Sequence, residues 1–190
     1  GITKGGVQYS DGRHLCSLCQ ASVVESDSTI FSTYTSVIKQ FKAVGIHNIP
    51  HNIPIKLINL IELNSKCSQS HVDLKGFTHT AHKYKTHPNY TIFILFGLPQ
   101  IEFEAVLAHE LLHVWLDQNK IRLSPKKTEG FCNLGRYLIY YNNQSYFSKI
   151  HLKAMDNSKS STYGIEYRKM KNKLEQIGWE LLILELRKNN

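Results

Sequence analysis

Cysteine is scarce in this chain, with four in 190 residues, at positions 16, 19, 67 and 132. Thiols this few and this unevenly spaced build no disulfide framework, so the expected compartment is the cytosol. No apolar stretch reaches the roughly 18 residues a membrane helix needs, and no charged-then-apolar segment opens the sequence. Neither a membrane span nor a signal peptide is therefore expected. Acidic residues are also in deficit, 15 against 23 lysines and arginines, for a formal charge of +8. That excess raises nucleic-acid association as one class of function. Its main concentrations, Lys83, Lys85, Lys126, Lys127, Lys169, Lys171 and Lys173, are scattered without a recognition helix or an aromatic platform. A solvated basic face is the better account. Internal repeats and low-complexity tracts are missing too, which excludes a solenoid and leaves a globular chain.

What is present suits one core. At 42% hydrophobic content the chain can bury a sizeable interior and carry a small appended module. Ser28 to Val44 reads as an amphipathic helix with Ile30, Phe31, Tyr34, Val37, Ile38, Phe41 and Val44 on one face. Ile55 to Ile61, after Pro54, reads as a strand, and Phe77 to Tyr84 as an irregular strand or loop whose His79 and His82 are exposed or face a substrate. Thr91 to Phe96 is a short apolar run ended by Gly97-Leu98-Pro99, which has the form of a buried strand and turn. Gln100 to Asn119 is a second amphipathic helix. Ser145 to Met155 reads as helical, and a last helix from about Tyr163 to Leu186 carries Met170, Leu174, Ile177, Leu181 and Leu184 as its stripe.

The chemistry concentrates in His109-Glu110-Leu111-Leu112-His113. On a helix, a spacing of four residues stacks both imidazoles on one face, where they can chelate one zinc ion. Glu110, one position round from His109, is placed to reach a water on the metal rather than the metal itself. Zinc lowers the pKa of such a water toward about 7, and a neighbouring carboxylate can take its proton and pass it to a leaving amine.

A catalytic zinc usually has three protein ligands and one open position, so the two histidines need a partner. Asp117 shares their helix face but sits roughly 6 Å further along the axis, too far to close a tetrahedron. Glu129 is the better candidate. Ser124-Pro125 is a helix-start signal that puts Glu129 in the early turns of a following helix able to pack on the first. The alternative for Glu129 is a solvated surface carboxylate. Glu102 and Glu104, near the start of the site helix, read as charges favoured by its dipole. Cys132, one turn after Glu129, reads as a core thiol rather than a nucleophile, because no base stands beside it. Cys16-x-x-Cys19 has the spacing of two structural zinc ligands, but a closed site needs two more.

Several runs together carry a resemblance: Ile94 to Pro99, Ala108 to Leu116, Leu123-Ser124-Pro125 and Glu129-Gly130-Phe131-Cys132. Asp11 to Cys19 and Ser161 to Arg168 add to it. In this combination and order the sequence resembles the DA-one LIM-peptidase family, growth-regulating peptidases of plants. The resemblance implies an α+β, zincin-like metallopeptidase, with a small sheet packed on an active-site helix and further helices. It implies a division into a partial LIM-like zinc-module remnant at residues 1–26 and a peptidase domain at 27–190.

It also implies His109, His113 and Glu129 as zinc ligands and Glu110 as catalytic base and acid. Tyr163, in the tyrosine-glycine segment, would be an oxyanion donor, with Tyr167 and His151 in reserve. Cys16 and Cys19 would be structural ligands whose partner pair precedes residue 1, with His14 or a downstream histidine as the internal alternative. Partners would be a protein or peptide substrate and, by the same resemblance, ubiquitin. The acidic ubiquitin-interacting helices that plant members carry ahead of the LIM region have no counterpart in this sequence. The rival readings are a catalytically inactive, zinc-stabilised module that recruits a partner without cutting it, and a basic nucleic-acid-associated protein.

Overall fold

The computed structural model describes residues 5–66, 74–81, 88–160 and 164–188. Its central strand is β5 (Asn89–Leu95), whose Tyr90, Ile92 and Ile94 are buried on one face. β3 (Ile55–Ile58) pairs with it in parallel and β4 (Gly76–Ala81) antiparallel, giving the order β3-β5-β4 with β3 and β4 at the two edges. Opposite the buried face of β5, the register places Gly76 across from Ile94, Thr78 from Ile92 and Thr80 from Tyr90. That inner face packs on α4 (Gln100–Gln118), which buries most of its length, including Phe103, Leu107, Leu111 and Trp115. α5 (Pro125–Asn143) returns beside α4 after a short connection, and α6 (Tyr146–Asn157) and α7 (Glu166–Lys188) pack on α5 in turn. α2 (Asp27–Ala43) closes the core from the other side through Tyr34, Val37 and Phe41. The architecture is mixed α+β.

Gly135 explains why α4 and α5 lie so close. A Cβ at that position would sit 2.8 Å from the carbonyl oxygen of Ala108 and 3.1 Å from Leu112 Cδ1. Backbone cannot rotate away as a side chain can, so only glycine permits this approach.

The residues ahead of the core are built differently. β1 (Val7–Gln8) and β2 (His14–Leu15) form a two-residue ladder, and α1 (Ser17–Gln20) buries nothing. They attach where α4 begins. Pro99 stands at the N-cap of α4 and offers no side-chain cap, and the Gln100 N–H donates instead to Ser22 O at 2.7 Å, satisfying one of the helix's unpaired donors. Val24 N donates to Leu98 O, and Tyr9 packs edge-on against Phe96 with ring centroids 5.5 Å apart.

Several sequence expectations change here. The strand from 55 stops at Ile58, and Leu60–Lys66 forms a helix, α3. Asn59 is the reason: its Oδ1 accepts from the Glu62 N–H at 2.9 Å, a capping bond that turns the chain out of the sheet. The segment from 77 is a regular strand over Gly76–Ala81, while His82, Lys83 and Lys85 lie outside the described residues. Phe31, expected on the buried face of α2, is 70% exposed.

In α7 the expected stripe holds only as far as Ile177. Gly178 adopts φ 76° and ψ 169°, which interrupts the helix in a region of backbone space open to glycine. Beyond the break the phase changes, so Leu182, Ile183 and Leu186 are buried and Leu181 and Leu184 face solvent. Ser124 stands at the N-cap of α5 as expected, yet its side chain makes no cap bond.

Candidate metal centre

His109 and His113 lie one turn apart near the middle of α4, and their Nε2 atoms stand 3.1 Å from each other. Glu129, in the second turn of α5, reaches both: Oε2 lies 3.2 Å from His109 Nε2 and Oε1 lies 3.4 Å from His113 Nε2. The seam at Gly135 sets this geometry, since it fixes how closely α5 carries Glu129 to the histidine face of α4. The three side chains retain between 12% and 24% of their exposure, so the cluster opens to solvent on one side.

The donor set fits a divalent ion. Metal–nitrogen and metal–oxygen bonds of about 2.0 to 2.1 Å at tetrahedral angles separate ligand atoms by about 3.4 Å, close to the three separations found here. Three acceptors converging at that spacing repel one another unless a cation or a proton lies between them. Burial, reinforced by the neighbouring His109, pushes the His113 pKa down. Its imidazole is thus held in the neutral form that a metal ligand requires. His109, His113 and Glu129 can together hold a metal ion. Two imidazoles and a carboxylate with room for one more ligand is a set that suits a divalent transition metal. The far nitrogen of His109, Nδ1, is buried without a hydrogen-bond partner among the described residues, so packing rather than an outer hydrogen bond orients the ring.

Glu110 is 5% exposed and points toward the sheet side of α4. Its Oε2 accepts a 2.7 Å hydrogen bond from Thr78 Oγ1, which also lies 3.2 Å from the Glu110 carbonyl oxygen. Gly76, two residues earlier on the same strand face, faces the other carboxylate oxygen, and a Cβ there would be 2.7 Å from Glu110 Oε1. No spacing signal in the sequence marks Thr78 or Gly76, because both contacts come from a strand register that only the folded sheet defines.

The remaining candidates sort by place. Asp117 is engaged elsewhere: its Oδ2 accepts from Tyr90 at 2.8 Å and its Oδ1 pairs with Arg122 at 3.1 Å. Glu102 and Glu104 lie near the α4 N-terminus as expected, but both are buried, with Glu102 in an ion pair with Lys75. Burial raises the Glu104 pKa, against the hydrogen bond from Gln100. Cys132 is fully buried, and burial together with the charges of Glu129 and Glu110 pushes its thiol well up.

Tyr163 lies outside the described residues. Tyr167 is fully buried, and His151 stacks on Tyr140 with centroids 4.9 Å apart and is not a member of the three-residue cluster. Among the described residues no third ligand-type side chain joins Cys16 and Cys19. Of the basic positions, Lys169 pairs with Glu166, Lys171 with Asp156 and Lys173 with Glu185. Among the described residues no helix is long and apolar enough to cross a membrane.

Comparison with known proteins places the chain in a family. A model described as DA1-like, Protein DA1, matches residues 55–180, from the first residue of β3 into α7. That span holds all three residues of the cluster and Glu110, and leaves Cys16 and Cys19 outside. Over 48 residues the chain is 46% identical to Protein DA1-related 2 of Arabidopsis thaliana, a stretch that is 25% of this chain and 9% of that protein. No solved structure matches the chain. Because the family model covers well over half of the sequence, this chain belongs to the DA1-like family.

Proposed function

We propose that the chain carries a zinc-dependent metallopeptidase domain of zincin-like architecture, which hydrolyses peptide bonds in protein substrates. The observation that carries the reading is the convergence of His109 Nε2, His113 Nε2 and Glu129 at 3.1 to 3.4 Å, one residue from the buried carboxylate of Glu110. The helix bearing both histidines packs under a small sheet, and the third ligand arrives from the next helix. Bound there, a zinc ion supplies Lewis acidity and lowers the pKa of its water toward about 7.

The chain's own residues do the rest. His109, His113 and Glu129 hold the ion and leave one side open. Glu110 accepts the proton of the attacking water at a carboxylate oxygen, keeps it in a buried setting, and returns it to the leaving amine. An additional donor to the developing oxyanion is assigned to Tyr163, on the family resemblance. Cys16 and Cys19 are proposed as half of a structural zinc site in a LIM-like segment over residues 1–26, ahead of a peptidase domain at 27–190. Ubiquitin is proposed as a partner by the same resemblance.

The test pairs zinc titration with proteolysis of a mixed protein pool. Glu110→Gln keeps the shape and the three ligands but removes the proton acceptor. It should bind zinc normally and lose activity by a factor of about 100 to 10,000, the usual worth of general acid–base catalysis. His113→Ala should lose both. Equal cleavage by wild type and Glu110→Gln refutes the catalytic role. Zinc binding and partner capture without cleavage by any variant favours the recruiting module.

A further inference from the structure

We propose that strand β4 is the positioning element for the general base: Thr78 fixes one oxygen of Glu110, and Gly76 leaves the room in which the other must sit. The inference rests on the peptidase reading of Glu110 and adds to it the residues that aim the carboxylate.

A glutamate side chain has three rotatable bonds, so helix α4 by itself leaves the Glu110 carboxylate free to sweep past the metal face or away from it. Proton transfer needs one orientation, with a carboxylate oxygen within hydrogen-bond reach of the water. The two contacts from β4 restrict that freedom at both carboxylate oxygens. Thr78 Oγ1 donates to Oε2 at 2.7 Å, the shorter of its two contacts, with the Glu110 carbonyl oxygen at 3.2 Å the weaker acceptor for the same proton. A β-branched residue in a strand has few χ1 choices, so the hydroxyl is a stiff donor.

Gly76 works by absence. A methyl there would meet Glu110 Oε1 and Val106 Cγ1 at 2.7 Å each, and Glu110 Cγ at 3.0 Å. The carboxylate therefore occupies space that any other residue would fill. Gly76 and Thr78 are two apart on the strand face that packs on α4, and their partners across the ladder, Ile94 and Ile92, are both buried. That pairing fixes the register, so β4 presents both contacts together. Thr78 is not a member of the three-residue cluster and its hydroxyl meets Glu110, which makes it a positioning residue acting through Glu110.

Thr78→Val keeps the branched shape and removes the donor. Partners of this kind cost about 10- to 100-fold when removed, so kcat should fall by that factor while KM and zinc affinity hold. Thr78→Ser should restore most of the rate. The double variant Thr78→Val/Glu110→Gln should be no slower than Glu110→Gln alone, because the lost contact acts only through the carboxylate. Gly76→Ala should lower kcat in the same way.

A readout independent of turnover is the 13C signal of the Glu110 carboxyl in zinc-loaded protein, assigned by its loss in Glu110→Gln. Thr78→Val should shift it, and Thr78→Ser should not. An unmoved signal, an unchanged kcat, loss of zinc with the rate, or a serine variant that fails to rescue would each overturn the assignment. A wild type that loads zinc and cuts nothing overturns the peptidase reading instead, and the carboxyl signal then reports on the positioning separately.

Discussion

The seam between α4 and α5 and the segment ahead of Val24 are held by different physics. At the seam, two 19-residue helices meet across Gly135 at a distance that leaves no room for a methyl, and Leu107, Leu111, Trp115, Phe131 and Leu134 beside it are almost entirely excluded from solvent. Ahead of Val24 there is no buried apolar residue among those described, and the segment is held by a two-residue ladder, a four-residue helix, a few contacts to the loop before α4 and one hydrogen bond from Leu60 to Asp11. Dense apolar burial fixes positions to fractions of an ångström, whereas isolated hydrogen bonds and one aromatic contact fix only an attachment. The candidate metal centre sits on the first kind of structure, as precise ligand spacing requires. The Cys16/Cys19 pair sits on the second.

The largest effect should come from removing a ligand at the rigid end. A complete zinc site is worth about 10 to 16 kcal/mol, so one of four ligands accounts for about 100- to 1,000-fold in affinity. Glu129→Ala should lose that much, measured by competition with a chelating dye. Cys16→Ser should leave the affinity of the same site unchanged. If the cysteine variant weakens the main site as much as Glu129→Ala does, the two regions are coupled and the contrast fails.

Next in size is Gly135→Ala, where two effects oppose. Alanine is favoured over glycine in a helix by about 1 kcal/mol, while forcing a methyl against packed backbone costs about 1 to 3 kcal/mol. The clash is with the Ala108 carbonyl, which cannot yield, so the net change should be destabilising, by up to about 2 kcal/mol in urea unfolding. Zinc affinity should fall with it as Glu129 is moved away from the histidines. A variant that gains stability would show that the seam has slack.

Parts of this arrangement were legible in the sequence and parts were not, for reasons that individual residues show. α4 was readable because its apolar period and histidine spacing are local properties of one helix. α5 could be placed from Ser124-Pro125, and Glu129 with it. The second half of α7 was misread because one glycine, Gly178, shifts the phase of the stripe without leaving a gap in the pattern. α3 was missed because Asn59 caps a helix inside an apolar run that also suits a strand. Thr78 and Gly76 left no trace, since their contact with Glu110 spans 32 and 34 positions and depends on the register of β4 against β5. Sequence patterns report the face a residue occupies; they do not report what a neighbouring element brings to it.

A smaller effect tests the attachment itself. Tyr9 fills the space above Gly97, where a Cβ would come within 2.5 Å of its ring, and it packs on Phe96. Tyr9→Ala removes a half-buried aromatic contact worth about 1 kcal/mol. The consequence should be local: the Gln100 amide, which donates to Ser22 O, should exchange faster by about tenfold, while amides in the middle of α4 and the zinc affinity stay as they were. Faster exchange throughout α4 would mean that the leading segment supports the whole helix and not only its first turn.

The smallest effect separates the two regions by pH in the metal-free protein. Burial by itself would raise the Asp11 pKa, but the Arg13 side chain, its backbone N–H and the Leu60 N–H all donate to the carboxylate, and together they hold it below its usual value. A depressed carboxylate contributes stability that is present above its unfolded pKa of about 3.9 and is lost as pH falls through the folded value. The anchor between Asp11 and α3 should therefore persist down to about pH 4 and weaken only below it. His113 has the opposite history, because its folded pKa is lowered and the unfolded chain takes up its proton first. Stability at the seam should begin to fall as pH drops below about 6.5, well before the anchor responds. Amide spectra followed from pH 7 to pH 3 would resolve the two steps, with the Leu60 amide reporting the anchor and the Asp11→Asn variant abolishing the lower one. A Leu60 response already complete at pH 6 would mean that the leading segment is held by the metal-site region and not by its own carboxylate.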